Sequence, residues 1–279
     1  MEFRNGNQLK AYLKKESIRL GVSINNTYNT FFARNLLEGI SDLNYGNFVV
    51  KGSFSQLIHS GKLYRPVTDI DLSSNKGISA LNFLYEFLNE QNTFVTYQIN
   101  RKPNVTSHGT HNFSVYCLFD GIKHSIGIDF MPDYKCIYEI QYKPVPTIFS
   151  KDKEFYINTP SYEEYLAEKL CIVAENNVIE RIFRVKDFFD IYKLHNGQYD
   201  YEKFSIYFQK MLRERKRISI DEIDVKHLNK ELIMRTYDLW NNVKRNYEFL
   251  GSSVEFEEAV YYTKGVLADQ ILKLRRNHG

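Results

Sequence analysis

Cysteine is nearly absent from this chain, with three in 279 residues. Cys117, Cys136 and Cys171 show no C-x-x-C spacing, which argues against a disulfide framework and against a zinc site. They read as reduced, mostly buried thiols, with Cys171 inside a helical pattern. No stretch approaches the length of an apolar membrane span, and the first residues, MEFRNGNQLK, lack the apolar run of a signal peptide. The expectation is a cytoplasmic protein with no membrane partner. Proline (six) and tryptophan (one) are also scarce, and there is no internal repeat or low-complexity stretch. Neither sign of charge dominates, since 37 basic residues face 34 acidic ones for a net +3. That balance permits a nucleic-acid partner without requiring one.

Aromatics are plentiful, with 21 Tyr and 20 Phe. They point to aromatic-filled packing in preference to a surface that stacks bases. The length suits one large domain or two modest ones. Helical spacing predicts helices over about 7–41, where Gly39 and Ser41, Asp42 and Asn44 release the chain, and again over Ile78 to Asn89. Strands are predicted at Thr93 to Ile99, Phe113 to Phe119 and Lys123 to Phe130. Asp120-Gly121 is a two-residue hairpin signal between the last two.

The chain is organised around NFVVKGSFSQLIHSGKLYRPVTDIDLSS, beginning at Asn47. It reads as a short strand (Phe48 to Lys51), a Gly52-Ser53 turn, a helix-compatible segment, a polar loop and a second strand holding Asp69 and Asp71. Strand side chains alternate, so both aspartates share one face, about 6.5 Å apart along the backbone. Carboxylates that close repel unless a cation sits between them, and Mg²⁺ suits such oxygen ligands. Gly52, lacking a Cβ, and Ser53, with its hydroxyl at a helix start, suit phosphate oxygens. The same residues would also serve as a surface turn and a half-buried strand with polar outer positions.

In HSIGIDF, Ile126, Ile128 and Phe130 share one face, and Ser125, Gly127 and Asp129 the other. If this strand neighbours the Asp69 strand, three aspartates meet; otherwise Asp129 is a solvated strand-end residue. The stretch from Tyr138 to Asn158, carrying Pro144 and Pro146, reads as a connection with some strand character between two lobes, 1–150 and 151–279. Thr159-Pro160 is then expected to open a helix, with Ser161 and Glu164 as a capping box. Lys169 falls at the edge of the stripe of Tyr162, Leu166, Leu170 and Val173. In Arg181 to Leu194, Asp187 lies with Phe183, Ile191 and Leu194, whereas Asp190 lies nearer Lys186 and Lys193. Lys169 and Asp187 would equally make a buried structural ion pair. Further helices are expected over Asp200 to Arg217, Asp221 to Gly251 and Val254 to Arg276. The basic run from Lys210 to Arg217 is either a solvated face or a nucleic-acid contact.

Taken together, FVVKGSFSQL, YRPVTDIDL, SIGIDF, TPSYEEYLAEKLCIV and RIFRVKDFFDIYKL resemble, in order and spacing, the AbiEii/AbiGii-type nucleotidyltransferase toxins of bacterial abortive-infection toxin–antitoxin systems. The resemblance spans roughly 20–195. It implies an α+β fold of the polymerase β-like nucleotidyltransferase type: a mixed sheet flanked by helices, then a mostly helical C-terminal lobe. It also implies transfer of a nucleoside monophosphate from an NTP, with Mg²⁺ (or Mn²⁺) as cofactor, to an acceptor such as the 3′ end of tRNA, and a cognate antitoxin for a monomeric toxin. On this resemblance Gly52 and Ser53 match the phosphate-binding turn, and Asp69 and Asp71 the metal pair. Asp129 matches a third acidic residue, a candidate ligand for a second metal ion or base for the acceptor hydroxyl; Lys169 matches a lysine that contacts the triphosphate, and Asp187 a later acid, with Asp190 as its alternate. Arg65 and Arg184 are further candidates. The hydroxyl that relatives carry two residues before the first aspartate is here Val67, with Thr68 one residue later. The alternatives are a non-catalytic nucleotide- or protein-binding module on the same fold, and a nucleotidyltransferase acting on a small-molecule or protein hydroxyl.

Overall fold

The computed structural model describes residues 3–42, 48–89, 94–106, 109–132, 138–179, 184–195, 197–215, 220–248 and 254–276. Cys136, Asn44, Phe183, Lys216 and Arg217 lie outside the described residues. The chain forms two compact units, Met1–Pro160 and Ser161–Gly279.

The first unit opens with α1 (Gly6–Leu20) and α2 (Ile24–Asp42). The single helical stretch expected there is thus two helices. Asn5 caps α1 by accepting from the Gln8 N–H, and Gly21 ends it. Gly39 does not release the chain. It lies inside α2, where a Cβ would come within 2.8 Å of the Phe87 ring, so its role is close packing.

The strands are β1 (Val49–Val50), β2 (Asp69–Ser74), β3 (Thr96–Val105), β4 (His111–Phe119), β5 (Ile122–Pro132), β6 (Ile140–Val145) and β7 (Phe155–Pro160), in the order β3-β4-β5-β2-β1-β7-β6. Helix α3 (Gly52–Ser60) follows β1, and α4 (Ile78–Asn89) follows β2. The hairpin between β4 and β5 turns on Asp120 and Gly121, both at positive φ (36° and 74°), as the dipeptide predicts.

Alternation makes one sheet face apolar. Ile70, Leu72, Ile126, Ile128 and Phe130 are buried with Phe31, Phe32, Leu36 and Leu37 of α2 and Leu81 and Leu84 of α4. Each such side chain contributes about 1.5–3 kcal/mol. The aromatic load is spent largely here, as in the edge-on Phe31–Phe32 pair, centroids 5.3 Å apart.

The proline-bearing stretch read as a connection folds as the β6–β7 hairpin, and β7 runs parallel to β1. Pro144 is tolerated because β6 is an edge strand. The loop between β6 and β7 is held by buried Arg34, whose Nε lies 2.8 Å from Asp152 Oδ2 and which donates to the Pro146 carbonyl at 3.0 Å. Asp152 in turn accepts from the N–H groups of Ile148 and Phe149. Thr159-Pro160 accordingly ends a strand and opens no helix. The Thr159 hydroxyl bonds the Val50 carbonyl, and the cap belongs to Ser161, whose Oγ accepts from the Glu164 N–H at 3.3 Å.

The second unit is helical among its described residues: α5 (Tyr162–Ile179), α6 (Val185–Leu194), α7 (Tyr201–Arg215), α8 (Lys230–Glu248) and α9 (Phe256–Arg276). The helix expected from Asp221 onward is split. Two short 3₁₀ turns precede α8, and Asn229 Oδ1 caps α8 by accepting from Leu232 N–H. Cys171 is buried on α5, and Cys117 in β4. No helix among the described residues is long and apolar enough to cross a membrane.

Candidate active site

The strand register decides the geometry of the first unit. β2 and β5 run parallel, with Asp69 opposite Gly127 and Asp71 opposite Asp129. Paired residues project to the same side and neighbouring strands stand about 4.8 Å apart. All three aspartates therefore share one face, the one turned away from the apolar core, and are half-buried. Gly127 keeps that face low beside Asp69: even a Cβ there would only just touch the Asp69 Cβ, at 3.8 Å.

β1 delivers Gly52 to the same place. The Lys51 N–H donates to the Asp71 carbonyl at 2.9 Å, and Gly52 follows with φ +60°. A Cβ on Gly52 would lie 1.7 Å from Asp71 Oδ2, so only glycine fits and the carboxylate rests against the bare Cα. Ser53 is 2% exposed and its Oγ has no hydrogen-bond partner among the described residues. α3 begins at this point with no side-chain cap on its N–H groups. An unspent buried hydroxyl, uncapped helix N–H groups and a Cβ-free surface form a cradle suited to oxyanions.

The aspartates also have local partners. Thr68 Oγ1 donates to Asp69 Oδ1 at 3.0 Å, and Asn112 Nδ2, from the cross-strand position on β4, to Asp129 Oδ1 at 2.5 Å. Thr68, just before β2, thus serves Asp69 itself. Sequence reasoning missed Asn112, although the Asp120-Gly121 turn carried the signal: a two-residue turn pairs Phe119 with Ile122 and, continued along the ladder, Asn112 with Asp129. Among the described residues, no three His, Cys, Asp or Glu side chains gather as a ready metal cage. The arrangement that fits a hard cation is narrower: Asp69 and Asp71, with the remaining ligands from water and substrate oxygens, as Mg²⁺ commonly takes. Arg65 is buried (5% exposed) in the loop before β2.

In the second unit, Lys169 of α5 and Asp187 and Asp190 of α6 come together. Lys169 Nζ lies 2.7 Å from Asp187 Oδ1 and 3.2 Å from Asp190 Oδ2, and Arg184 Nε lies 3.0 Å from Asp187 Oδ2. The Lys169 side chain is 7% exposed, those of the aspartates 0% and 1%. Asp190, assigned to the polar strip from the wheel, therefore faces inward with Asp187. The two lie three residues apart on α6, close enough to converge on one ammonium. Of the basic run on α7, Arg215 is bound to Glu175 of α5 through two hydrogen bonds of 2.5 and 2.9 Å. Burial works against its charge, but Glu175 prevails and raises its pKa. Arg215 is thus a packing residue, not a free surface cation.

A parallel strand pair carrying a D-x-D motif beside a Gly-Ser helix start, in a mixed sheet flanked by helices, defines a nucleotidyltransferase-type fold. A family model described as nucleotidyl transferase AbiEii toxin, type IV TA system, matches residues 36–260, and the chain belongs to that family. It is a nucleotidyltransferase of a toxin–antitoxin type. Solved structures with a similar course include JHP933 from Helicobacter pylori, at 16% identity and a TM-score of 0.46, covering 92% of this chain and 97% of that one. The antibiotic-resistance factor ANT(2″)-Ia, solved with adenylyl-2″-tobramycin, aligns at 12% identity and a TM-score of 0.40, covering 68% of this chain and 98% of that one. No curated protein matches.

Proposed function

We propose that the chain transfers a nucleoside monophosphate from an NTP to a hydroxyl of RNA, the 3′ end of tRNA, as the toxin of a pair with a cognate antitoxin. The chemistry belongs to the first unit, and acceptor binding to the helical second unit. The observation that carries this reading is the Gly52–Asp71 contact, which sets an oxyanion cradle directly against a carboxylate pair.

In this reading Asp69 and Asp71 hold Mg²⁺, which supplies charge neutralisation to the triphosphate. Ser53 Oγ and the first N–H groups of α3 bind the β- and γ-phosphates and fix the leaving group. Asp129, kept in place by Asn112, accepts the proton of the acceptor hydroxyl. That oxygen forms a bond to the α-phosphorus, the α–β P–O bond breaks, and pyrophosphate leaves with the bonding pair. Within the second unit Asp187 and Asp190 set the position of Lys169, the residue that the family resemblance matches to a triphosphate-contacting lysine.

The test is the full chain incubated with each labelled NTP, Mg²⁺ and total tRNA, beside Asp71→Ala. Label should enter RNA with the unaltered chain and fall at least about 10³-fold with the variant. Equal labelling by the two proteins would end this reading, and label in protein or a small molecule would move the acceptor.

A further inference from the structure

The second unit carries a cleft that the transfer reaction does not use. It lies between α7 and α9, has a volume of about 380 Å³, and is lined by Glu202, Ser205, Ile206, Gln209, Lys273 and Arg276. Ser205 is 8% exposed, yet its Oγ has no hydrogen-bond partner among the described residues. A serine in mid-helix normally spends its hydroxyl on a carbonyl one turn back or in water. Here a nearly dry hydroxyl instead faces a cavity with two cations at its wall.

The cations differ in how they are held. Lys273 is positioned: its Nζ lies 3.9 Å from the Tyr201 ring centroid and 3.7 Å from Asp269 Oδ2. Tyr201 is fixed in turn, donating to Asp269 and accepting from Gln270 Nε2. Arg276, in the last turn of α9, is exposed. Two cations and a hydroxyl donor select a phosphate. Glu202, on the same cleft, disfavours a bare anion and asks for a ligand that also brings a hydroxyl donor. Ile206, 49% exposed, offers an apolar patch for a sugar face.

We propose that this cleft is a ribose-phosphate subsite for an RNA strand, in which Lys273, Arg276 and Ser205 take the phosphate and Glu202 and Gln209 the 2′-hydroxyl. The proposal deepens the RNA-acceptor reading and rests on it. The 2′-hydroxyl is the group by which a protein distinguishes RNA from DNA. Removing one cation from a phosphate lowers the salt slope of binding by about 0.7 for single strands.

The experiment measures binding of the full chain to a single-stranded RNA and to DNA of the same sequence across salt, with no NTP present. Arg276→Gln and Lys273→Gln should each flatten the slope by roughly 0.7. Ser205→Ala should weaken binding severalfold at unchanged slope, and Glu202→Ala should erase the preference for RNA. If the unaltered chain binds RNA but the four variants keep its slope, affinity and RNA preference, the subsite is refuted while the acceptor reading stands. No RNA binding by the unaltered chain overturns both. Inorganic phosphate is the free-anion arm, and displacement of RNA by millimolar phosphate at constant ionic strength would make this a free-phosphate site and overturn the proposal.

Discussion

Two groups of charged side chains in this protein are built on opposite terms. In the first unit, Asp69, Asp71 and Asp129 are like charges set on neighbouring strands and left half-buried on a polar face. In the second, Lys169, Arg184, Asp187 and Asp190 balance two positive charges against two negative ones, with both aspartates sealed from solvent. A sealed, balanced cluster recovers much of its desolvation cost internally. The three half-buried carboxylates put like charges on one face, a mutual repulsion that a bound cation would relieve. The first group is arranged for something that must bind, the second for the fold that carries Lys169.

The sharpest break between them is Asp69→Asn. It should lower nucleotide transfer by about 10³-fold or more while leaving the melting temperature unchanged or slightly raised, since it removes repulsion and no closed network. Transfer rates and thermal melts on the same preparation check both halves. A large fall in melting temperature would mean that the aspartate face is structural and would erase the contrast.

The converse is Asp187→Ala, which removes the buried carboxylate that both Lys169 and Arg184 contact. We expect a loss of about 3 kcal/mol, a fall in melting temperature on the order of 10 °C. Replacing the buried members together by Lys169→Met, Asp187→Leu and Asp190→Leu should recover much of that loss, because an apolar set removes the uncompensated charge. Folding then separates from function. If Lys169 serves the triphosphate, the refolded variant shows a raised KM for NTP. An unchanged KM would make the cluster purely structural.

How legible this was in the sequence depended on the range of the signal. Alternation gave the shared face of Asp69 and Asp71 in DIDLSS, and in HSIGIDF it put Asp129 on the face opposite Ile128 and Phe130, because a period of two needs no tertiary information. That β2 and β5 pair in the register that sets Asp71 beside Asp129 follows from the assembled sheet, and the sequence could state it only as a condition. The Gly52–Asp71 contact was likewise hidden, since it joins the first residue of α3 to β2. Helix ends failed where strand and cap chemistry compete. Thr159-Pro160 looks like an N-terminus, but the Thr159 hydroxyl is spent on β1 and Ser161 takes the cap. Asp190 was misplaced because a wheel ranks faces by apolar neighbours, whereas here an inward ammonium reorganises which face counts as inside.

The smallest effect concerns two histidines, one in each unit, that burial pushes down to a pKa of about 4. His59 hydrogen-bonds the Pro160 carbonyl through Nε2 at 2.8 Å, and the nearby Lys143 lowers its pKa further. His195 is held between the hydroxyls of Tyr262 and Tyr199, and Asp269 opposes the burial. In the unfolded chain each histidine takes up a proton near pH 6.5, while in the folded one it stays neutral to about pH 4. Between those values the unfolded state binds more protons, so this contribution to stability is complete above about pH 6.5 and is lost as pH falls toward 4. Urea melts at pH 7 and pH 5 should show a lower midpoint at pH 5, with His195→Gln reducing that difference through the second unit alone. Were the drop unchanged by His195→Gln and by His59→Gln, its source would lie in the carboxylates, and the pH response would track the charged clusters instead of these two rings.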